Sequence, residues 1–81
     1  MKLWISNIAP GASDQEVREF VAKHALGLEC TGLKRMDGDG SRPAAMLEFA
    51  AAPSGALEAV AVRLHGMYWK GRSLFVQTML R

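Results

Sequence analysis

The chain has 81 residues, 49% of them hydrophobic and 22% charged, with a net charge of +2 and a single cysteine. Those values describe one domain with enough apolar material for its own core, and they exclude an internal disulfide, a disulfide-stapled scaffold and a membrane span. The charge is uneven: residues 1–40 carry five basic and six acidic side chains, and residues 41–81 carry five basic and two acidic, a balance that permits a polyanionic partner without demanding one.

The first predicted element is a strand over residues 2–8, closed by the turn signal Ala9-Pro10-Gly11. Lys2 runs straight into this strand pattern, so no leader segment is expected and the domain is read as soluble and cytoplasmic. Ser13 precedes Glu16 by three positions, the spacing of a capping box. Val17, Phe20, Val21 and Ala25 then recur at helical spacing, which predicts a helix from about Asp14 to Leu26, ended by Gly27. A second strand is predicted from about Glu29 to Met36, and Asp37-Gly38-Asp39-Gly40 suits a hairpin turn. The third strand, Arg42 to Phe49, alternates so that Ala45, Leu47 and Phe49 face inward and Ala44, Met46 and Glu48 outward. Pro53-Ser54 opens a second helix carrying Leu57, Val60, Ala61 and Leu64 on one face, and His65-Gly66 stops it. Met67 to Lys70 form a short hairpin or loop, and Gly71-Arg72 lead into the last strand. The order β-α-β-β-α-β makes an α+β sandwich, a four-stranded antiparallel sheet with both helices on one face.

Two large rings break the inward rule. Trp4 in Leu3-Trp4-Ile5-Ser6-Asn7-Ile8 and Phe75 in Ser73-Leu74-Phe75-Val76-Gln77 each alternate with aliphatic residues. Burying the aliphatics turns both rings to the face away from the helices. A small sheet that places its largest rings on the face away from its core is usually a platform for binding.

These residues resemble the RNA recognition motif. The first hexamer is similar to the family's first-strand signature, aliphatic-aromatic-aliphatic-x-Asn-aliphatic. Leu64-His65-Gly66, four residues, and Gly71-Arg72-Ser73-Leu74-Phe75-Val76 resemble its closing signature, with His65 in place of the usual Asn. The resemblance spans the whole chain and implies a ferredoxin-like sandwich that binds single-stranded RNA on its open sheet face. The third-strand signature departs. In Arg42-Pro43-Ala44-Ala45-Met46-Leu47-Glu48-Phe49 the basic residue, the inward aliphatic and the last aromatic match. The two outward aromatics that contact a base and its sugar in the family are Ala44 and Met46 here. Stacking on one aromatic is worth roughly 1–3 kcal/mol per base, so a modest affinity is expected.

The resemblance implies a displaced platform of Trp4 and Phe75, neighbours because the last strand lies beside the first, with Met46 as an apolar floor. Lys2, Lys34, Arg42 and Arg72 are the candidate phosphate contacts, Arg42 standing at the family's basic position. Ser6 and Gln77 are candidates for hydrogen bonds to base edges, while Glu48 on the same face repels phosphate. Each has a plainer alternative: Trp4 covered by a loop, Phe75 and Met46 as surface filler, the cations as solubilising charge. Tyr68 and Trp69 follow the second helix, and one of the two is expected to cap the core.

Other chemistries lack their residues. His24 and His65 have no clustered carboxylate or second cysteine, so no metal site is expected, nor any cofactor. Asp37-Gly38-Asp39-Gly40 lacks the further ligands of a calcium loop. Ala9-Pro10-Gly11-Ala12 has no arginine to cradle an anion, and there is no Cys-x-x-Cys, so no enzyme or metal carrier is read. The competing function is a protein-interaction module that has exchanged RNA aromatics for protein contacts through Met46, Phe75, Tyr68, Trp69 and Val62. Lys70-Gly71-Arg72 does not supply the Arg-x-Phe of the family's peptide-binding branch. A monomer is expected, with pairing of two open faces as the alternative.

Overall fold

The computed structural model describes residues 2–25, 27–50 and 55–79. The expected order is present. Strand β1 spans Lys2–Ser6, helix α1 Asp14–His24, strand β2 Cys30–Met36, strand β3 Ala44–Phe49 and helix α2 Ala56–Leu64. A two-residue hairpin of β4, Tyr68–Trp69, and β5, Arg72–Ser73, precedes β6, Phe75–Met79. The four main strands form one antiparallel sheet in the order β2-β3-β1-β6.

Boundaries move where backbone chemistry requires it. β1 stops at Ser6 rather than residue 8, because Asn7 takes a left-handed φ of 62°, a conformation that Asn tolerates better than most residues. Ile8 is still held to the sheet, its amide donating to the Pro43 carbonyl at 3.0 Å. β3 begins at Ala44 rather than Arg42, since Pro43 has no amide to add to a ladder. The capping box of α1 is complete: the Glu16 amide donates to Ser13 Oγ at 3.1 Å, and the Ser13 amide donates to Glu16 Oε1 at 2.8 Å. The expected helix end at Leu26 and the expected opening of α2 at Pro53-Ser54 lie outside the described residues. In the β4–β5 hairpin both turn residues, Lys70 and Gly71, have positive φ (51° and 85°), the signature of a type I′ turn.

The core lies between one face of the sheet and both helices. Leu3 and Ile5 from β1, Ala45, Leu47 and Phe49 from β3 and Val76 from β6 meet Val17 and Val21 from α1 and Leu57, Val60 and Leu64 from α2 in one buried cluster. This is the inward set that the alternation requires, and it leaves the opposite sheet face uncovered by helices. One charged side chain ties the helix layer down. Arg35, on the core side of edge strand β2, donates to Asp14 Oδ1 at 2.9 Å, to the Ala12 carbonyl at 2.7 Å and to Asp37 Oδ1 at 3.1 Å. Cys30 is half-buried against the core.

Candidate nucleic-acid interface

Directly opposed residues of antiparallel strands share a face, so the register lays out the open side row by row. The central row runs Lys34, Met46, Trp4, Gln77 from β2 to β6. The row on one side of it is Gly32, Glu48, Lys2, Met79, and on the other side Met36 opposes Ala44 and Ser6 opposes Phe75. Of the nine candidates, Lys2, Trp4, Ser6, Lys34, Met46, Phe75 and Gln77 therefore stand on one surface. Trp4 is at its centre, half-buried, and Phe75 is 52% exposed.

Two depressions flank the central row. One, of about 260 Å³, is lined by Lys2, Gly32, Leu33, Lys34, Met46 and Glu48. The other, of about 470 Å³, is lined by Trp4, Ser6, Asn7, Arg42, Ala44, Ser73 and Phe75. Arg42 thus reaches the face from the β2–β3 connection, beside a turn held by Asp39, whose carboxylate accepts the Ser41 hydroxyl at 2.6 Å and the Ser41 amide at 2.9 Å. Those two bonds hold the Asp39 carboxyl below its ordinary range. Ala44, expected to point outward, does lie on this face, yet it is only 6% exposed because it is recessed among larger neighbours.

Arg72 is placed differently from the other cations. Its Nη1 donates to the Ser41 carbonyl at 2.7 Å and to Asn7 Oδ1 at 3.3 Å, so the guanidinium binds together the β2–β3 turn and the end of β1. Asn7 in turn donates through Nδ2 to the Ser73 carbonyl at 2.9 Å. This network was missed at the level of sequence, although Asn7 is the Asn of the first-strand signature and carried the signal. His65 was also missed. Its ring meets Phe75 edge-on at 4.8 Å, and its Nδ1 accepts the Val76 amide at 3.1 Å.

Of the two aromatics after α2, Trp69 is the one that caps the core. It stacks on Phe20 of α1 with centroids 4.6 Å apart and planes at 25°. Lys70 lies over the same indole at 5.6 Å and bonds Glu16 at 2.8 Å. The Lys70 ammonium, and then the Ser13 amide, hold the Glu16 carboxyl below its usual value. Tyr68 is 73% exposed. Among the described residues no group of three or more His, Cys, Asp or Glu side chains is placed to hold a metal ion, and no helix is long and apolar enough to cross a membrane.

The sequence matches no family model and none of the curated proteins. The structure, by contrast, is similar to solved RNA recognition motifs. The third such domain of Pes4 superposes with a TM-score of 0.80 at 15% identity, covering 99% of this chain and 92% of that one. The N-terminal three RNA-binding domains of the yeast splicing factor Prp24 match at 0.78 and 15% identity, with 99% of this chain and 33% of that one covered. The Rna15 domain, solved with bound RNA (GU), matches at 0.75 and 17% identity over 99% and 83%. The fold is that of the RNA recognition motif.

Proposed function

We propose that this chain is a single-stranded RNA-binding module working from its open sheet face, with modest affinity. The observation that supports this reading best is the pair Trp4 and Phe75, two large rings kept on the face opposite the core, with Arg42 lining the same depression and Lys34 across Met46 in the row of Trp4. Bases stack on the two rings and slide over Met46. Lys2, Lys34 and Arg42 neutralise phosphates, and Ser6 and Gln77 hydrogen-bond base edges. Arg72 stands one step back and holds the rim through Asn7 and Ser41. The RNA bound to the structurally similar Rna15 domain adds weight.

A second reading, a protein-interaction module, is favoured by one observation. An apolar groove of about 420 Å³ runs between α2 and β6, lined by Val62, His65, Phe75 and Thr78 among others, and Val62 is 78% exposed. That groove carries Glu58 and no Lys or Arg, so it suits a protein better than a polyanion.

The test is an amide-shift NMR titration with short single-stranded RNA of randomised sequence, at low and then physiological salt. Shifts centred on Trp4, Ser6, Met46, Phe75 and Gln77 that fade with salt are expected. No shift at millimolar RNA would sink the reading and redirect the search to protein partners at the α2–β6 groove.

A further inference from the structure

We propose that Glu48 reads the Watson–Crick edge of a guanine in the bound strand and so selects the base at this part of the face; the proposal rests on the RNA-binding reading above. By sequence alone Glu48 is a charge that repels phosphate. The register sets it among cations: it directly opposes Lys2 of β1, and Lys34 of β2 opposes Met46, two residues before Glu48 on the same side of β3. These four side chains and Gly32 line the depression of about 260 Å³. A carboxylate in that position has two ammonium groups to choose from, yet it pairs with neither. Among the described residues its side-chain oxygens have no hydrogen-bond or ion-pair partner.

The strand opposite keeps that carboxylate open. β2 is irregular between Cys30 and Gly32, and the residue it sets against Glu48 is the glycine. A bulge of this kind re-aims the side chains around it. The backbone here is pinned, with Thr31 Oγ1 donating to the Glu48 carbonyl at 3.2 Å and the Cys30 thiol to the Gly32 carbonyl at 3.2 Å. Gly32 has no positive φ, so its backbone does not require a glycine. What the glycine does is leave room. A Cβ at this position would stand 3.9 Å from both Cβ and Oε1 of Glu48, in ordinary contact, and a longer side chain would reach over the carboxylate.

The chemistry of an open carboxylate selects among bases. It accepts hydrogen bonds and donates none. Guanine alone of the four bases carries two adjacent donors on its Watson–Crick edge, N1–H and the N2 amino group, so both carboxylate oxygens are used in one charge-assisted pair. Uracil presents a single donor between two carbonyl oxygens. Adenine and cytosine present an amino group next to a ring acceptor, which turns a lone pair toward the second oxygen. Lys2 and Lys34 neutralise the phosphates on either side of the selected base, so the carboxylate does not drive the strand away.

Were Glu48 only solubilising charge, Glu48→Gln would strengthen binding to every strand alike, because a repulsion of phosphate is lost. The probes that separate the two are a uridine-rich single strand with one central guanosine and the same strand with adenosine or inosine there, inosine lacking the N2 amino group. Fluorescence anisotropy should show wild type preferring the guanosine strand over the adenosine strand by about fivefold or more, the worth of a paired contact to a base edge, with the inosine strand between them. Glu48→Gln, whose amide keeps one acceptor and adds a donor, should remove most of that preference. Gly32→Thr, which keeps the charge and covers it, should reduce the preference in the same direction. Amide spectra report whether each variant is folded, and Glu48→Gln decides the matter if the Thr variant is not. In the wild-type complex the guanine N1 proton should show nuclear Overhauser contacts to the Glu48 side chain. Equal affinity of wild type for the guanosine and adenosine strands, or a preference that survives Glu48→Gln, overturns guanine selection while leaving the RNA reading intact. A wild-type protein that binds none of the strands overturns both.

Discussion

His65 holds Phe75 and the outer edge of the sheet at once: its ring meets the phenyl at 80° and 4.8 Å, while its Nδ1 accepts the Val76 amide at 3.1 Å. β6 is an edge strand, and this amide points away from β1, where an open donor invites pairing with another chain. Because Nδ1 accepts, the ring carries its proton on Nε2. Losing the bond leaves a part-buried donor, costing about 1–3 kcal/mol, and the ring pair adds roughly 0.5–1.5 kcal/mol. His65→Ala should therefore lower stability by about 2 kcal/mol in urea unfolding. His65→Asn, which keeps an acceptor but no ring, should cost about half as much. Equal losses from both would show that the acceptor contributes nothing.

The fold was legible because its signals are local. The Ser13–Glu16 box, the glycines after both helices and the period-two alternation around Trp4 and in β3 are each contained in a few residues. The candidate face was legible for the same reason, since alternation decides which way Trp4, Met46 and Phe75 point. What escaped depends on contacts between distant segments. Asn7 is left-handed in a fold that gives its side chain Ser73 and Arg72 as partners, more than sixty residues away. Charge counting cannot tell a cation that faces solvent from one, like Arg72 or Arg35, whose guanidinium joins two loops. The hollow at Ala44 depends on the height of side chains from other strands, and no window of sequence contains it.

Ring and floor should be separable in binding. Trp4→Ala removes a stacking surface worth roughly 1–3 kcal/mol, or about 5- to 150-fold in affinity for short single-stranded RNA. Met46→Ala should change affinity less than about threefold. Each phosphate contact contributes about 0.7 to the slope of log K against log salt for a single strand, so Lys2, Lys34 and Arg42 together give a slope near −2. Arg42→Ala should make it shallower by about 0.7. Equal losses from Trp4→Ala and Met46→Ala, measured by fluorescence anisotropy, would rule out a platform displaced onto Trp4.

Acid should weaken the fold through Glu16. Lys70 and the Ser13 amide keep its carboxyl below the ordinary value, so its pKa is lower in the folded than in the unfolded chain. Its contribution is full above the unfolded value and disappears as pH falls through the folded one. Glu16→Gln should thus be less stable than wild type at about pH 7 and should converge with it once the pH falls below the folded-state value, because the amide can no longer hold Lys70 but has no proton to gain. The urea midpoints of the two proteins across that range give the comparison, and parallel curves would count against the linkage.

Arg72 offers the sharpest separation of charge from geometry. Its Nη1 donates both to the Ser41 carbonyl and to Asn7 Oδ1, at a reach set by the long planar guanidinium arm, which the shorter lysine side chain does not reproduce. Were Arg72 mainly a phosphate contact, Arg72→Lys would preserve both stability and the salt dependence of RNA binding. As the clamp between the β2–β3 turn and the end of β1, it should instead lose about 1.5–3 kcal/mol of stability on conversion to lysine, the range for a hydrogen bond to a charged group. The slope of log K against log salt should stay the same, since the charge is kept. Amide shifts in the variant should concentrate at Asn7, Ser41 and Arg42, around the mouth of the Ala44 depression. A variant as stable as wild type, with those amides unmoved, would return Arg72 to the set of simple surface cations.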